Sequence, residues 1–566
     1  MKRLFARALV ALAAGLAWGA DVPAEVPKGT VTTYRFEGSA IFPGTTREYA
    51  VYVPAQYDGT RPACVHVNQD GVQFNLPAVM DRLIASGEMP VTVGVFVKPG
   101  VVKALATNAL DRFNRSFEYD GVSDAYARFL LDELLPHVAR EQRLNLSASG
   151  NDRSIGGSSS GAVCAFTAAW ERPDAFSRVL SAVGTYVGLR GGNEYPTLIR
   201  KTEPKALRVF LQDGSADLNN YCGDWWMANQ EMERALAFAG YEVSHAWGEG
   251  GHSGKQMTEI CADAMRWLWK GWPAPVQKGL GSPQMKDILL PGEAWVRVGT
   301  GYGFTEGPAA NAKGEVFFND IPASRTWKVG LDGALSVFAG DTKKANGLAF
   351  GPDGRLYSVS AESKQVVARG EAGQPAVVAE GVAGNDLAVC ANGSLYVSAP
   401  GSFYPASNAV WLVRANGEKR AVDTGLKFPN GVALSPDQSL LYVCDSRSHW
   451  VYSYQIQPDG SLAHKQRYYF LHQPAGADES GADGMRCDRD GRLYVATKMG
   501  VQVCDQAGRV TCILPTPNGR CANLCFGGPA FDTLFATCGD SVFKRKLKVR
   551  GLSPAEGPRK PAAPRL

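Results

Sequence analysis

Histidine is scarce in this chain: seven residues in 566. Metal binding or catalysis through clustered imidazoles therefore has little material, and any histidine in a reactive setting stands out. An excess of one charge is also missing. Lysine and arginine number 59, aspartate and glutamate 55, and the formal net charge of +4 gathers into no basic stripe; this excludes a nucleic-acid partner. No pair of C-x-x-C motifs occurs among the twelve cysteines, and Cys521 and Cys525 lack a matching partner pair, so a zinc ribbon is excluded. The apolar run Ala8 to Ala20 is too short to span a bilayer. Preceded by Lys2, Arg3 and Arg7, it reads as a signal peptide over residues 1–20, with Ala17 at the −3 position if cleavage follows Gly19. No cysteine precedes Cys64, which excludes a lipid-anchored cysteine. The expectation is an exported protein, periplasmic or extracellular, with no integral membrane segment after cleavage; a signal anchor is the alternative.

The most informative stretch present is Gly156 to Phe166, GGSSSGAVCAF. Gly157-Ser158-Ser159-Ser160-Gly161 reads G-x-S-x-G, a sharp strand-to-helix turn that exposes the oxygen of its central serine, the nucleophile elbow of α/β-hydrolases. Arg153-Ser154-Ile155 precedes it as a strand ending, and Ala162 to Trp170 comes after it as a helix of small and apolar residues. The motif alone is common by chance, so the order of the acid and base candidates downstream decides. After the apolar run Leu207 to Leu211 comes Gln212-Asp213-Gly214-Ser215-Ala216-Asp217, and after Glu242 to Trp247 comes Gly250-Gly251-His252-Ser253. Ser159, Asp217 and His252 thus fall on post-strand loops in the order nucleophile, acid, base. Asp213 competes with Asp217, and His245 with His252; the loop positions favour Asp217 and His252. His252 would activate the serine and Asp217 would hold the imidazole. The oxyanion hole needs the N–H of Ser160 and a second donor after the strand Cys64 to Val67, at Gln69 or Asp70.

The second half repeats. Strand units recur at Gly314–Phe318, Gly354–Tyr357, Gly393–Val397, Ser439–Val443, Gly491–Val495 and Thr533–Ala536, about 40 to 50 residues apart. The spacing predicts a six-bladed β-propeller over residues 296–548. Before several strands sits an oxygen-bearing residue: Glu306-Gly307-Pro308, Asn346-Gly347, Asn385-Asp386, Asn430-Gly431 and Asp483-Gly484. Equivalent positions of successive blades converge on the central channel, where such oxygens suit a hard cation. Asn-Gly and Asp-Gly are also ordinary turn dipeptides, but separate turns such as Pro352-Asp353-Gly354 already serve the hairpins.

These motifs carry two resemblances. Gln69-Asp70-Gly71, Arg115 to Asp120, Tyr126, Leu134-Leu135-Pro136, the elbow, Gln212 to Asp217 and Gly250 to Ser253 together resemble the esterase D / enterochelin esterase-like group, which includes feruloyl and acetyl-xylan esterases. The resemblance implies a serine esterase without a cofactor. Ala162 departs from the second glycine many members carry, and Arg115 to Asp120 reads either as pocket wall or as a brace for the elbow. The second half resembles the gluconolactonase / senescence marker protein (regucalcin) / luciferin-regenerating enzyme superfamily. That likeness implies Glu306, Asn430 and Asp483 as ligands of a divalent metal, Ca²⁺ first with Zn²⁺, Mg²⁺ and Mn²⁺ as alternatives, Asn385 as a further ligand or substrate contact, Asn346 as a weaker candidate, and Asp483 as base for a lactone.

The expected organisation is a signal peptide (1–20), an α/β-hydrolase domain (28–272), a linker (273–295), the propeller (296–548) and a disordered tail (549–566). The expected function is removal of feruloyl or acetyl groups from carbohydrate, coupled to a metal-dependent sugar lactonase, with carbohydrate esters and sugar lactones as substrates. Alternatives are a siderophore esterase, and an esterase carrying a carbohydrate-binding propeller without catalysis. Cys164, Cys390 and Cys444 read as buried free thiols; Cys222 and Cys261, flanking the acid-to-base segment, are the first disulfide to test.

Overall fold

The computed structural model describes residues 26–401 and 408–564; the signal-peptide expectation for residues 1–20 lies outside them. The N-terminal half is one ten-stranded sheet. Its strands, with the hairpin after β9, are β1 (Thr30–Glu37), β2 (Thr46–Val53), β3 (Cys64–Gln69), β4 (Thr92–Val97), β5 (Val101–Val102), β6 (Arg112–Phe113), β7 (Arg153–Ser158), β8 (Arg178–Ala182), β9 (Arg208–Gly214), the hairpin pair β10 (Asn219–Asn220) and β11 (Gly223–Asp224), and β12 (Glu242–Gly248). The spatial order is β12-β9-β8-β7-β3-β4-β2-β5-β6, with β1 on β2. Strands β12 through β4 in that order are parallel, and β1 and β2 are antiparallel. β3, β4 and β8 are buried at every residue, as a parallel sheet covered on both faces requires.

The covering helices are α1 (Leu76–Ala85), α2 (Arg115–Tyr119), α3 (Ala125–Arg128), α4 (Leu135–Glu141), α5 (Ser160–Glu171), α6 (Tyr195–Lys201), α7 (Trp225–Phe238) and α8 (Lys255–Trp269). α5 is buried from Ser160 to Trp170. That explains its small residues: Ala162, which stands where many esterases carry glycine, is wholly buried there, and a bulky side chain would not fit. The loops after β7, β9 and β12 gather at the carboxyl edge of the sheet, the usual ligand edge of such folds.

The C-terminal half is six four-stranded antiparallel sheets, a six-bladed propeller. The repeat units read from sequence are the second strands of the blades: Val316–Asp320, Leu356–Ser360, Leu395–Ala399, Leu440–Asp445, Leu493–Thr497 and Thr533–Cys538. Val296–Thr300 closes the ring by pairing with Ser541–Lys546 as the outer strand of the last blade. Between the halves, Ser282 caps a short helix α9 (Pro283–Ile288), whose Met285 and Ile288 are buried in the core of the last two blades. The halves also touch directly. Glu203 takes both guanidinium nitrogens of Arg545 at 2.7 and 2.9 Å, and its N–H donates to the Ile513 carbonyl at 2.9 Å.

Two expectations need correction. The stretch from 549, expected to be disordered, is laid across the propeller as far as it is described. Gly551 bridges Asp488, and its N–H donates to the Phe531 carbonyl at 2.8 Å. A Cβ at Gly551 would fall 2.3 Å from that of Phe526, so glycine lets the backbone lie flat there. Arg489 pairs with Glu556, and Arg559 donates its N–H to the Pro436 carbonyl. Cys222 and Cys261 are both free thiols. Cys261 faces the core between α1 and α8, whereas Cys222 sits on the β10–β11 hairpin. Cys164, Cys390 and Cys444 are buried and free. Among the described residues, no helix is long and apolar enough to cross a membrane.

Candidate active sites

Ser159 sits between β7 and α5 with φ 59° and ψ −123°, a strained left-handed turn for a residue with a side chain. Glycines permit it. A Cβ at Gly157 would meet the Gly161 backbone at 2.6 Å, and one at Gly161 would meet Gln69 Cβ at 3.0 Å. The turn thrusts Ser159 Oγ to 2.8 Å from His252 Nε2, and His252 Nδ1 lies 2.7 Å from Asp217 Oδ1. The acid and base loops are locked together by backbone bonds: Ser215 N–H to Gly248 O at 2.8 Å and Ala216 N–H to Gly250 O at 3.2 Å. A Cβ at Gly214 would lie 2.1 Å from Gly250 O, which accounts for the glycine-rich composition of both loops.

Asp217 also accepts the Leu218 N–H at 2.6 Å. Burial alone would raise its carboxyl, but hydrogen bonds from His252 and the Leu218 N–H help hold it below the usual carboxylate range. Asp213, the penultimate residue of β9, is wholly buried and is pushed up to about 8 by burial and by Asp217. His245 is on β12, stacked on Trp247 at 4.6 Å between ring centroids and away from the serine's hydrogen bonds. Two residues missed in the sequence complete the setting: Thr185 Oγ1, 3.2 Å from Ser159 Oγ, and Trp225, whose Nε1 reaches Thr185 at 3.3 Å and whose ring packs edge-on against His252. Neither belongs to a motif, so no local signal marks them.

Of the oxyanion candidates, Ser160 is the first residue of α5, and its N–H has no acceptor within the helix. Asp70, at φ 62°, gives its N–H to the Tyr119 hydroxyl at 3.3 Å. Gln69 ends β3 with its side-chain amide buried and unpartnered. The segment Arg115 to Asp120 is a brace: Arg115 Nε and Nη2 each lie 2.8 Å from the Asp70 carboxylate, and Glu118 forms a buried ion pair with Arg47.

In the propeller, Glu306, Asn430 and Asp483 lie at the starts of innermost strands or just before them, as do Asn346 and Asn385. Glu306 is buried, and Oε2 accepts the Gly307 N–H at 2.7 Å and Asn523 Nδ2 at 3.0 Å. Burial, with the Asp386 charge adding, pushes it up to about 7. Asp483 is raised further by burial, then by the charges of Glu306 and Asp386. Asn430 Nδ2 donates to Ser446, but its Oδ1 and that of Asn346 are buried without a donor. Asn385 contributes its backbone, with N–H to Ser398 O and C=O from Gly347 N–H, both at 2.8 Å.

Asn523 is the channel position of the sixth blade. It escaped the sequence reading because Leu524, neither glycine nor polar, comes after it. Asp386 is held by the N–H groups of Leu387 and Val432, and Arg486 Nη1 stands 3.8 Å from it. Among the described residues, no cluster of three or more His, Cys, Asp or Glu side chains is set to hold a metal. The channel set is instead two mutually repelling carboxylates and two orphaned amide oxygens. Neutral and anionic oxygen donors of this kind fit a hard divalent cation.

Residues 39–263 match the family model of a putative esterase, and residues 304–540 match the SMP-30/gluconolactonase/LRE-like region. The chain joins an esterase to a gluconolactonase-like propeller. A gluconolactonase of Zymomonas mobilis is 26% identical over 318 residues, 48% of this chain and 86% of that protein. A pentonolactonase of Haloferax volcanii is 26% identical over 207 residues, 36% of this chain and 67% of that protein. A solved ferulic acid esterase is 17% identical, with a TM-score of 0.35, covering 43% of this chain and 99% of that one. Both halves are of hydrolase families acting on ester or lactone bonds in small-molecule substrates.

Proposed function

We propose that the protein is an exported two-site hydrolase. In this reading residues 28–272 remove an aromatic or acetyl acyl group from carbohydrate, and residues 296–548 open a sugar lactone with a bound divalent metal, Ca²⁺ in the first instance. The observation that carries the esterase half is the continuous line of hydrogen bonds from Ser159 Oγ through His252 to Asp217. Ser159 Oγ attacks the ester carbonyl carbon as His252 Nε2 takes its proton; Asp217 keeps Nδ1 protonated and stabilises the imidazolium. The oxyanion is met by the Ser160 N–H and by a second donor from the Gln69–Asp70 turn. His252 returns its proton to the leaving alcohol, and a water activated by the same imidazole releases the acid.

In the propeller, Glu306, Asn430 and Asp483 would hold the metal, with Asn385 and Asn346 in reach of the metal or the substrate. When bound, the ion supplies Lewis-acid polarisation of a lactone carbonyl. Asp483, half-buried where Glu306 is buried, would take a proton from the attacking water. Export rests on the residue pattern of positions 1–20.

The test is ferulate release from methyl ferulate by wild type and Ser159→Ala, each with and without chelator. Loss in Ser159→Ala together with indifference to chelator supports the reading. Activity that survives the substitution and dies with chelator would move the ester chemistry to the propeller.

A further inference from the structure

Asp213 is a buried acid with no role in the hydrolytic steps. Its Oδ1 accepts the Gly214 N–H at 2.8 Å, and its Oδ2 has no donor. Asp217 is built the same way: Oδ1 is held by His252 and the Leu218 N–H, and Oδ2 has no donor. The Asp217 N–H closes a turn on the Gly214 carbonyl at 3.0 Å, which brings the two side chains together with their unpartnered oxygens both buried, and neither side chain has exposed surface; each bears on the other's protonation. Two carboxylates cannot both ionise across such a contact, because like charges repel strongly where water is excluded. One shared proton gives both orphan oxygens a partner and removes one of the two charges.

We propose that Asp213 is a carboxylic acid that donates its proton in a hydrogen bond to Asp217 Oδ2, a positioning residue that extends the line Ser159–His252–Asp217 by a fourth member. The inference rests on the serine-esterase reading. The proton belongs on Asp213 because the two sides are unequal. Asp217 has His252 and a backbone N–H to stabilise its charge; Asp213 has the Gly214 N–H and the Asn229 side chain. Asn229, reaching in from α7, has both bonds of its Nδ2 committed to the Gly184 and Trp225 carbonyls. The groups facing Asp213 are thus Asp217 on its own loop, Gly214 N–H and Asn229, with His252 beyond Asp217. Burial keeps the acid neutral into the alkaline range. By this arrangement Asp217 is tethered on both oxygens, so the imidazole it holds keeps one orientation.

The experiment compares wild type, Asp213→Asn, Asp213→Leu and Ser159→Ala for ferulate release from about pH 6 to about pH 10, together with the wild-type-minus-Asp213→Asn infrared difference spectrum. Asparagine keeps an N–H for Asp217 Oδ2 and cannot ionise. Asp213→Asn should therefore retain kcat to within about threefold at neutral pH and lose the alkaline fall that wild type shows as Asp213 ionises. Asp213→Leu strips the donor from a buried carboxylate and should lower kcat roughly tenfold to a hundredfold with KM little changed. The difference spectrum should contain one protonated-carboxyl band that disappears at high pH.

Equal losses in the two variants, an unchanged alkaline limb in Asp213→Asn, or no carboxyl band would overturn the inference. If Asp213→Leu does not fold, the asparagine variant and the infrared band still decide. Activity surviving in Ser159→Ala would sink the esterase reading while leaving the spectroscopic test of Asp213 intact.

Discussion

Glu118 and Arg47 offer a sharp test of how the loop beside the nucleophile is braced. Neither side chain has exposed surface. Arg47 donates to Glu118 Oε2 at 2.7 Å and Oε1 at 3.0 Å, and the Gly100 N–H adds a third bond at 3.2 Å. The guanidinium lies 4.1 Å from the centre of the Phe129 ring, so no water is at hand to replace a lost partner. Glu118→Gln keeps the shape and removes the charge, leaving a buried cation uncompensated; breaking such a pair costs about 3–5 kcal/mol. For a domain of this size that lowers the melting temperature of the N-terminal half by about 6–20 °C.

Arg47→Met combined with Glu118→Leu removes both charges and should recover most of that loss, because an apolar pair of similar volume is no worse than a buried ion pair. Calorimetry of the full chain reads both variants. Glu118 sits in α2 between Arg115 and Tyr119, and both of these hold Asp70. The single variant should therefore also lose esterase kcat below its melting point. The reasoning fails if Glu118→Gln unfolds within about 1 kcal/mol of wild type, or if the double variant is as unstable as the single one.

Two further outcomes can be measured. Asn523→Ala removes the side chain that holds Glu306 Oε2 at 3.0 Å; Ca²⁺ affinity measured by calorimetry should fall roughly 10–100-fold while ester hydrolysis is unchanged, and unchanged affinity would remove Glu306 from the ligand set. His66 is wholly buried on β3, its Nδ1 2.9 Å from Ser154 Oγ, and burial pushes its imidazole down to about 4. The unfolded chain binds that proton from about pH 6.5, so this group's stabilisation is complete above that pH and is lost as pH falls towards 4. The loss amounts to about 3 kcal/mol, and it should be absent from the urea-unfolding profile of His66→Gln.

Local chemistry was legible in the sequence. The elbow declares itself because a side chain at Gly157 would strike the Gly161 backbone, and one at Gly161 would crowd Asp70 and Gln69. The blades declare themselves because each second strand comes after its own tight turn. The unread residues act across the chain. Thr185 and Trp225 reach the serine from segments without a motif, and Asn523 reaches Glu306 from 217 positions away. The tail misled because its prolines, alanines and arginines resemble a disordered segment; glycine at 551 instead permits close contact with Phe526.

The choice between Asp213 and Asp217 shows where such reading stops. Spacing presents them as rivals for one role, since a triad takes a single acid from the loop after the strand. The corner at Gly214, held against Gly250 and closed by the Asp217 N–H on the Gly214 carbonyl, turns the chain so that two acids four residues apart come together in one buried place. Once they meet, burial forbids two charges, and two equivalent side chains become an acid and its conjugate base. Sequence could rank the two only by position along the chain; the difference between them comes from unequal donors, two for Asp217 Oδ1 and a single backbone N–H for Asp213 Oδ1. That inequality exists only after folding.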